Sequence, residues 1–497
     1  MRIIGVSTLI VSIIFGILHA DEVRPKRVLQ ANMNEVYNAI LPSVDNISDA
    51  FANGMFYGRL RTNLFIYDWK APNNTLNADN KAFGLGGSLI YKTAPLLGVS
   101  ATAGLYYSSS PFSSLREENS DVGFVKSGKD TFSRYDVSTN GDWHMAVLAQ
   151  AYLQYDLLKT SFKFGRQLFE SALTASNDTK MIPNAFEGFS FESKDLSKTV
   201  VKGAYFTAQK LRDHTTFHDV LTFKDSSGNS WNNNDDSGSH KGLSYANFIA
   251  AGEDPEHELL VAAISNKSIS NLKLDFTYTA VHYVVSSFIG ELNYKIDLTN
   301  DCALSPGFRY MQQIDDGGGK IGGASLSGNL AIDKAPATLL GYKERYTLDG
   351  SAWMARLVLT KGVLKVIAGY SDVANEADLV APWRGFPTGG YTRAMAQTNW
   401  MANTKSTMLG AFYDFGKADI LKGFKVISRY VVQDFDESKQ AAGVQADARV
   451  MHIDLVQQIT SSLDAKIRMG AVSADNRVDG TDKDSYSEYR FEINYLF

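Results

Sequence analysis

The last nine residues of the chain alternate between large apolar and polar side chains. The odd positions are aromatic or isoleucine: Tyr489, Phe491, Ile493, Tyr495 and Phe497. Between them lie Arg490, Glu492 and Asn494, so an extended strand here would have one apolar and one polar face. Strands of soluble sheets can alternate in the same way. Because the apolar face is aromatic, the pattern favours a transmembrane barrel strand, which is apolar toward lipid and polar toward the lumen.

The same two-residue period begins at Met55 and recurs along the rest of the chain. In residues 463–471, Asp464, Lys466 and Arg468 alternate with apolar side chains. A Lys or Arg on the lipid face costs ~2–4 kcal/mol at mid-membrane, so a bilayer enforces this alternation. Counted in this way, about eighteen strands lie between residues 55 and 497.

The predicted connections alternate between short and long. The long ones cover residues 110–143, 210–256, 313–349 and 372–403. Short turns such as residues 157–159 and 299–300 come between them. We therefore predict an all-β fold, a transmembrane antiparallel β-barrel of about 18 strands with short periplasmic turns and long extracellular loops. Barrels of roughly sixteen to eighteen strands leave an aqueous channel.

The first fifty residues depart from this pattern. Residues 1–20 contain Arg2, an apolar run and Leu18-His19-Ala20, which predict a cleavable signal peptide. In residues 21–50, apolar positions recur at three- and four-residue steps up to Pro42, which predicts a short helix in a periplasmic N-terminal extension. The sequence also allows this extension to insert into the lumen. Residues 51–497 are assigned to the outer-membrane barrel.

The composition agrees with an exported barrel. The 497 residues include 24 Tyr, 28 Phe and 40 Gly but only 11 Pro, which is typical of many strands joined by tight turns. The net charge of −5 gives no reason to expect a nucleic-acid partner. The single cysteine, Cys302, cannot form an internal disulfide.

Two stretches resemble the OprD family of bacterial outer-membrane porins. Residues 165–188 have the sequence GRQLFESALTASNDTKMIPNAFEG, and residues 385–400 have the sequence GFPTGGYTRAMAQTNW. The resemblance implies a porin through which small hydrophilic solutes diffuse passively. Carboxylate-bearing compounds such as amino acids, peptides or organic acids are the expected solutes. It also implies that two loops, residues 170–184 and 372–403, fold inward and narrow the channel.

The resemblance further implies a row of basic side chains along one lumen wall. Basic residues whose strand position faces the lumen are Arg59, Arg61, Arg309, Arg356, Lys425, Arg429, Lys466, Arg468 and Arg490. A guanidinium binds a carboxylate through two parallel hydrogen bonds and stays charged, and a row of weak sites lets an anion move along it. Each of these residues could instead pair with a lumen acid such as Glu492 and stiffen the wall.

The predicted inward loops supply a second group of candidates. They are Glu170, Ser176, Asn177, Asp178, Tyr391 and Arg393. Acids opposite a basic wall would create a transverse electric field in the channel, and Glu170 and Asp178 are the residues placed to do so. The alternative for the acid and amide side chains is the capping of loop turns.

Other motifs do not suggest chemistry. His214 and His218 are four residues apart in a polar loop, where surface side chains are expected rather than a metal site. No motif joins Ser, His and Asp residues, so no catalytic residue and no cofactor is predicted. The alternatives to a porin are an outer-membrane enzyme barrel of the lipase or protease type and a surface adhesion barrel.

The expected location is the bacterial outer membrane, and the expected partners follow from it. They are outer-membrane lipids, small hydrophilic solutes and the barrel-assembly machinery. By resemblance, this machinery would recognise the terminal strand that ends at Phe497. The sequence allows a monomer or a homotrimer.

Overall fold

A computed structural model describes residues 27–37, 40–72, 77–126, 128–224, 240–335, 338–395 and 397–497. The predicted signal peptide, residues 1–20, lies outside the described residues.

Eighteen antiparallel strands form a closed barrel in chain order. They are β1 (Met55–Trp69), β2 (Asn80–Lys92), β3 (Val99–Ser109), β4 (His144–Leu157), β5 (Thr160–Gln167), β6 (Ala185–Ser193), β7 (Thr199–Lys210), β8 (Leu259–Asn266), β9 (Leu272–Val281), β10 (Val285–Tyr294, continued by Ile296–Thr299), β11 (Cys302–Asp315), β12 (Gly350–Lys361), β13 (Leu364–Val373), β14 (Lys405–Asp414), β15 (Phe424–Asp434), β16 (Ala448–Gln458), β17 (Leu463–Ala474) and β18 (Tyr486–Leu496). The barrel closes where β18 pairs with β1, with Phe491 opposite Leu64. The predicted fold class is confirmed.

The two ends of the barrel differ in the length of their connections. At the short-turn rim, residues 158–159 join β4 to β5 and residues 300–301 join β10 to β11. At the opposite end, the long-loop rim, the four long connections fall close to their predicted bounds. This rim also contains one tight turn, because Val281 and Val285 are paired across residues 282–284.

The side chains of β1 show how the alternation divides lipid from lumen. Phe56 and Leu60 point outward and are 63% and 60% exposed, whereas Arg59 and Arg61 point inward and are at most 2% exposed. The outward side chains are large and apolar because they face hydrocarbon, and the inward ones can be charged because other polar groups cover them.

Short helices lie in the connections. The α-helices are Ile47–Ala52, Arg134–Asn140, Tyr245–Ala251 and Gly319–Gly322, and the 3₁₀-helices are Ser113–Leu115, Asn119–Phe124, Lys129–Thr131 and Glu437–Ala442. Asn46 caps the first of these helices, its side chain accepting a hydrogen bond from the Asp49 amide. No helix among the described residues is long and apolar enough to cross a membrane.

The predicted helix before Pro42 is wrong. Arg27–Leu29 and Glu35–Tyr37 instead form a two-stranded antiparallel hairpin, which we call the N-terminal hairpin. It lies inside the barrel rather than in a periplasmic extension, since Met33 O accepts a hydrogen bond from the lumen side chain of Arg59 at 2.9 Å. The apolar spacing that suggested a helix reflects contacts with the lumen wall, such as Tyr37 stacked on Tyr57 at 5.5 Å between ring centroids.

The largest hydrophobic core is also inside the barrel. It is made by loop residues such as Leu173, Trp383 and Trp400 packed against inward side chains of the strands, including Phe206 and Met311. The long loops therefore fold back into the lumen and pack there.

Candidate functional site

Two loops from the long-loop rim fold into the barrel. The first inward loop, residues 168–184, joins β5 to β6, and the second inward loop, residues 374–404, joins β13 to β14. Asp178 of the first loop contacts β1, and Pro387 of the second contacts β11. Both predicted loops therefore lie inside the barrel and reach different walls of it.

The two inward loops cross each other. Ala175 N donates a hydrogen bond to Trp383 O at 2.9 Å, and Gly385 N donates to Leu173 O at 3.1 Å. A Cβ atom on Gly385 would lie 2.1 Å from the carbonyl carbon of Leu173, so a side chain cannot fit at the crossing. The crossing makes the two loops one unit across the lumen.

Buried ion pairs hold the first inward loop to β1. Asp178 pairs with Arg59 and, at 3.0 Å, with Arg61, whose Nη2 lies 2.5 Å from Glu492 on β18. Arg59 Nε also lies 3.1 Å from Glu35 of the N-terminal hairpin. Burial, opposed by the two guanidinium groups, raises the pKa of Asp178 to about 6. We call these five residues the Asp178 junction.

The Asp178 junction changes the interpretation of three predicted residues. Arg59 and Arg61 face the lumen, but neither side chain has exposed surface, so in this structure they anchor the loop and do not line open water. Asp178 is 1% exposed and paired with both, so it does not supply a free transverse field.

On the opposite wall, β11 and β12 hold the second inward loop. Arg309 and Arg356 share Glu291, at 2.6 and 3.1 Å. Arg356 Nη1 donates to Gly390 O at 3.0 Å, and both guanidiniums lie over the ring of Tyr391, 4.8 and 4.6 Å from its centroid. Their side chains are 14% and 23% exposed, so each keeps one face toward the lumen. Tyr391 itself is fully buried beneath them, and burial raises the pKa of its hydroxyl.

The wall formed by β16, β17 and β18 carries basic side chains that reach water. Arg468 makes a two-point contact with Asp454 at 2.6 and 2.9 Å, Lys466 lies 3.8 Å from the same carboxylate, and Arg490 pairs with Glu488. The side chains of Lys466, Arg468 and Arg490 are 21%, 17% and 10% exposed. Arg468 and Arg490 are directly opposite each other across the β17–β18 ladder. Like charges in that position destabilise a strand pair, and the carboxylates of Asp454 and Glu488 offset this repulsion.

The neighbouring strand β15 extends this wall. Lys425 is 42% exposed in its side chain and lies 3.9 Å from Asp414. Arg429 Nη1 lies 3.3 Å from Nδ1 of His452, whose Nε2 contacts Asp454 at 3.0 Å. We call the five basic residues of β15, β17 and β18 the basic wall: Lys425, Arg429, Lys466, Arg468 and Arg490.

A further group of charges is contributed by the loops and was missed by the sequence analysis. Asp130 pairs with Arg212, with Arg384 at 3.4 Å and with Lys129 at 3.5 Å, and Lys129 lies 3.6 Å from Asp213. Burial lowers the pKa of Lys129 to about 8 and that of Arg384 to about 9. Strand alternation gives no information about loop side chains, so no pattern in the sequence pointed to this cluster.

Arg393 of the second inward loop lies in a positive environment. Its guanidinium carbon is 3.3 Å from the centroid of the Phe386 ring, and its buried Nε has no hydrogen-bond partner. Within the described part of the chain, no ion pair joins Arg393 to an acid. Burial and then the charges of Arg212 and Arg384 lower the pKa of Arg393 well below its usual value. After burial, the groups that shift this pKa most are four other arginines, Arg212, Arg384, Arg468 and Arg490.

Comparison with known protein families matches residues 126–497 to the outer membrane porins of the OprD family. This chain belongs to the OprD family. Its location is therefore the bacterial outer membrane, and the short-turn rim is periplasmic. A comparison with curated protein sequences finds no match.

Solved OprD-type porins share the fold of this chain. OccK8 (OprE) from Pseudomonas aeruginosa superposes with a TM-score of 0.65 at 16% identity, over 90% of this chain and 99% of that one. OccAB3 from Acinetobacter baumannii gives a TM-score of 0.65 at 15% identity with the same coverage. OpdK from Pseudomonas aeruginosa, solved with vanillate, gives a TM-score of 0.63 at 13% identity, again over 90% and 99% of the chains.

In this OprD-family porin, the remaining candidates of the first inward loop have different environments. Glu170 is exposed and, like Lys202, borders two lumen cavities of about 540 and 630 Å³. Ser176 is fully buried, and its hydroxyl accepts a hydrogen bond from a backbone N–H of the same loop at 2.9 Å. Asn177 accepts one from the amide two residues later at 3.0 Å, which is a turn contact. Of these three predicted residues, Glu170 reaches the open lumen.

The expectation of surface histidines is wrong for His214. It is 3% exposed, and its Nδ1 lies 2.9 Å from Nε2 of His218. The loop is polar because it packs against charged groups inside the porin, not because it faces bulk water. The described residues contain no group of three His, Cys, Asp or Glu side chains placed to hold a metal ion.

Proposed function

We propose that this porin is a passive diffusion channel for small hydrophilic solutes that carry a carboxylate, such as amino acids, peptides or organic acids. The observation that carries the proposal is the basic wall, where Lys466, Arg468 and Arg490 lie on adjacent strands and keep exposed surface. A solute carboxylate can bind the exposed part of one guanidinium and pass to the next. The solute gradient drives the movement.

The charge of the inward loops supports the same solutes. Arg393 has no acid partner among the described residues, and Arg384 and Arg212 lie close enough to lower its pKa. An anion entering between the loops would relieve this repulsion. OpdK, which shares the fold, was solved with vanillate, which is also a carboxylate.

The predicted basic residues divide into two groups in this proposal. The basic wall, together with Arg309 and Arg356 on β11 and β12, would contact the solute. Arg59 and Arg61 are enclosed in the Asp178 junction and would keep the first inward loop in place. The two crossed loops would narrow the channel between these walls. The family match favours a channel over the enzyme and adhesion alternatives.

Liposome swelling tests the proposal. The full-length porin is reconstituted, and the rates for succinate and for glucose are compared with those of an Arg468→Ala/Arg490→Ala variant. Loss of two charged contacts to the solute should lower the succinate rate by about tenfold, which corresponds to ~1.4 kcal/mol, and leave the glucose rate unchanged.

The matched control is Arg449→Ala. Arg449 lies on β16, and its side chain is 56% exposed in an outer ion pair with Asp475. Its loss should change neither rate. Equal succinate rates for the wild type and the double variant would remove the basic wall from the mechanism.

The terminal strand supports a proposal about assembly. Tyr489 and Tyr495 on the outer face of β18 are 37% and 47% exposed, and Phe497 N donates a hydrogen bond to Gly58 O at 3.0 Å across the closing seam. We propose that the barrel-assembly machinery recognises this strand. Phe497→Ala should then reduce the amount of folded porin in the outer membrane. A monomer and a homotrimer are both compatible with this arrangement.

A further inference from the structure

The N-terminal hairpin enters the lumen beside the periplasmic rim and ends at the first inward loop. Asn34 Nδ2 donates a hydrogen bond to Ser176 O at 2.5 Å, and Asp178 N donates to Asn32 O at 2.9 Å. After the hairpin, Val44 N donates to Pro95 O at 3.0 Å in the β2–β3 turn. The hairpin turn therefore contacts the first inward loop, and residue 44 contacts the periplasmic turn between β2 and β3.

Glu35 on this hairpin has the contacts that a solute carboxylate would make. Its Oε1 lies 3.1 Å from Nε of Arg59 and accepts a hydrogen bond from the Ser88 hydroxyl. The carboxylate is 3% exposed, and its other oxygen, Oε2, has no hydrogen-bond partner. An arginine and a hydroxyl on the lumen wall thus form a carboxylate site, and a carboxylate of the chain itself occupies it.

The charges of the Asp178 junction favour the release of Glu35 over that of Asp178. The junction has two guanidiniums, on Arg59 and Arg61, and three carboxylates, on Glu35, Asp178 and Glu492. Asp178 contacts both guanidiniums, whereas Glu35 contacts that of Arg59 alone. A buried charge left unpaired is costly. When Glu35 departs, the carboxylates of Asp178 and Glu492 remain for the two guanidiniums. Arg59 and Arg61 therefore each keep at least one carboxylate partner.

We propose that Glu35 is a tethered carboxylate that occupies the Arg59–Ser88 site in the resting channel and gives it up to the carboxylate of a passing solute. The inference rests on the proposed function, because the solute must reach Arg59 through the lumen. A cavity of about 540 Å³, bordered by Glu35, Tyr37 and Lys163, lies beside the site and gives room for the incoming anion. The hairpin then acts as a latch: the fraction of channels in which Glu35 has left Arg59 rises with the solute concentration.

Accessibility of the hairpin tip measures this release. Met33 is 8% exposed while the hairpin is docked. The full-length porin with Met33→Cys, on a Cys302→Ala background, is reconstituted in liposomes and treated with a polar, membrane-impermeant maleimide. Succinate should raise the labelling rate by about fivefold, and glucose at the same osmolality should leave it unchanged. Asn34→Cys, at a position 6% exposed, repeats the measurement if Met33→Cys does not fold.

Removal of the tethered charge gives the second readout. Glu35→Gln, added to the Met33→Cys/Cys302→Ala protein, should raise the labelling rate without any solute to the rate that succinate produces. Glu118→Gln removes the same charge from an exposed residue of the loop between β3 and β4, and should label at the parent rate. Labelling that responds neither to succinate nor to Glu35→Gln would overturn the latch.

The conductance of the same preparations distinguishes failure of the Glu35 latch from failure of the proposed diffusion channel. If the porin gives discrete conductance steps in a planar bilayer while labelling stays slow throughout, the latch is overturned and the channel stands. If no preparation conducts, the channel itself is overturned, and the latch with it.

Discussion

At the scale of single residues, strand alternation predicts which way a basic side chain points but not what covers it. Arg61 and Arg468 both point into the barrel, yet Arg61 is sealed beneath Asp178 and Arg468 reaches water. The lipid outside fixes the direction, because it excludes charge. The cover comes from Asp178, which is 117 positions away in the sequence, and no local pattern encodes that contact.

Loss of Arg61 should destabilise the porin strongly. Arg61→Met would leave Asp178 and Glu492 buried with one guanidinium fewer, and breaking a buried ion pair costs ~3–5 kcal/mol. Urea unfolding in detergent, followed by the mobility of the folded barrel on a gel, measures the effect. Arg166→Met is the control, because the Arg166–Glu187 pair is about 40% exposed and worth ~0–1 kcal/mol. Equal effects of the two substitutions would contradict the role given to the junction.

The Asp178 carboxyl should also make stability depend on pH. Its pKa is raised from 3.8 to about 6 in the folded chain, mainly by burial, so the unfolded chain releases this proton at lower pH. The contribution of this group to stability is therefore full below pH 4 and falls as the pH rises through about 6. The thermal midpoint of the wild type should fall over this range relative to that of Asp178→Asn. If the thermal midpoints of the wild type and of Asp178→Asn change with pH in parallel, the Asp178 carboxyl does not make stability depend on pH.

At the scale of elements, the strands could be predicted from the sequence, whereas the segments inside the lumen could not. Each strand has lipid on one face, which imposes a period of two on its sequence. The N-terminal hairpin touches protein on all sides and has no such constraint, so its apolar spacing resembled a helix. The inward loops were found through a family resemblance, and their contact at Gly385 and Leu173 became visible only in the structure.

The crossing of the inward loops should set the width of the channel. Gly385→Ala places a Cβ atom 2.1 Å from the backbone of Leu173 and must push the loops apart. We expect a larger and noisier single-channel conductance in planar bilayers. Gly290→Ala is the control, because a Cβ on Gly290 has no atom within 4 Å. A Gly385→Ala conductance equal to that of the wild type and of Gly290→Ala would show that the crossing does not limit the current.

At the scale of the whole molecule, the net charge of the chain does not reveal that basic side chains are concentrated on part of the lumen wall. The chain has a net charge of −5, yet basic side chains of β15, β17 and β18 form one lumen wall, and Arg309 and Arg356 lie on β11 and β12, with two strands between β12 and β15. The second inward loop adds Arg384, which pairs with Asp130 at 3.4 Å, and Arg393, which feels the charges of Arg468 and Arg490. Closure of the sheet is what brings residues from both ends of the chain to one lumen.

The most direct test of this account is the block of single-channel current by a carboxylate. The wild-type porin in a planar bilayer with potassium chloride should give discrete conductance steps, and added benzoate should reduce the current in a saturable way. The Arg468→Ala/Arg490→Ala variant should also give discrete conductance steps, but about tenfold more benzoate should be needed to reduce its current by the same fraction. Absence of conductance steps, or the same benzoate sensitivity in both proteins, would contradict the account.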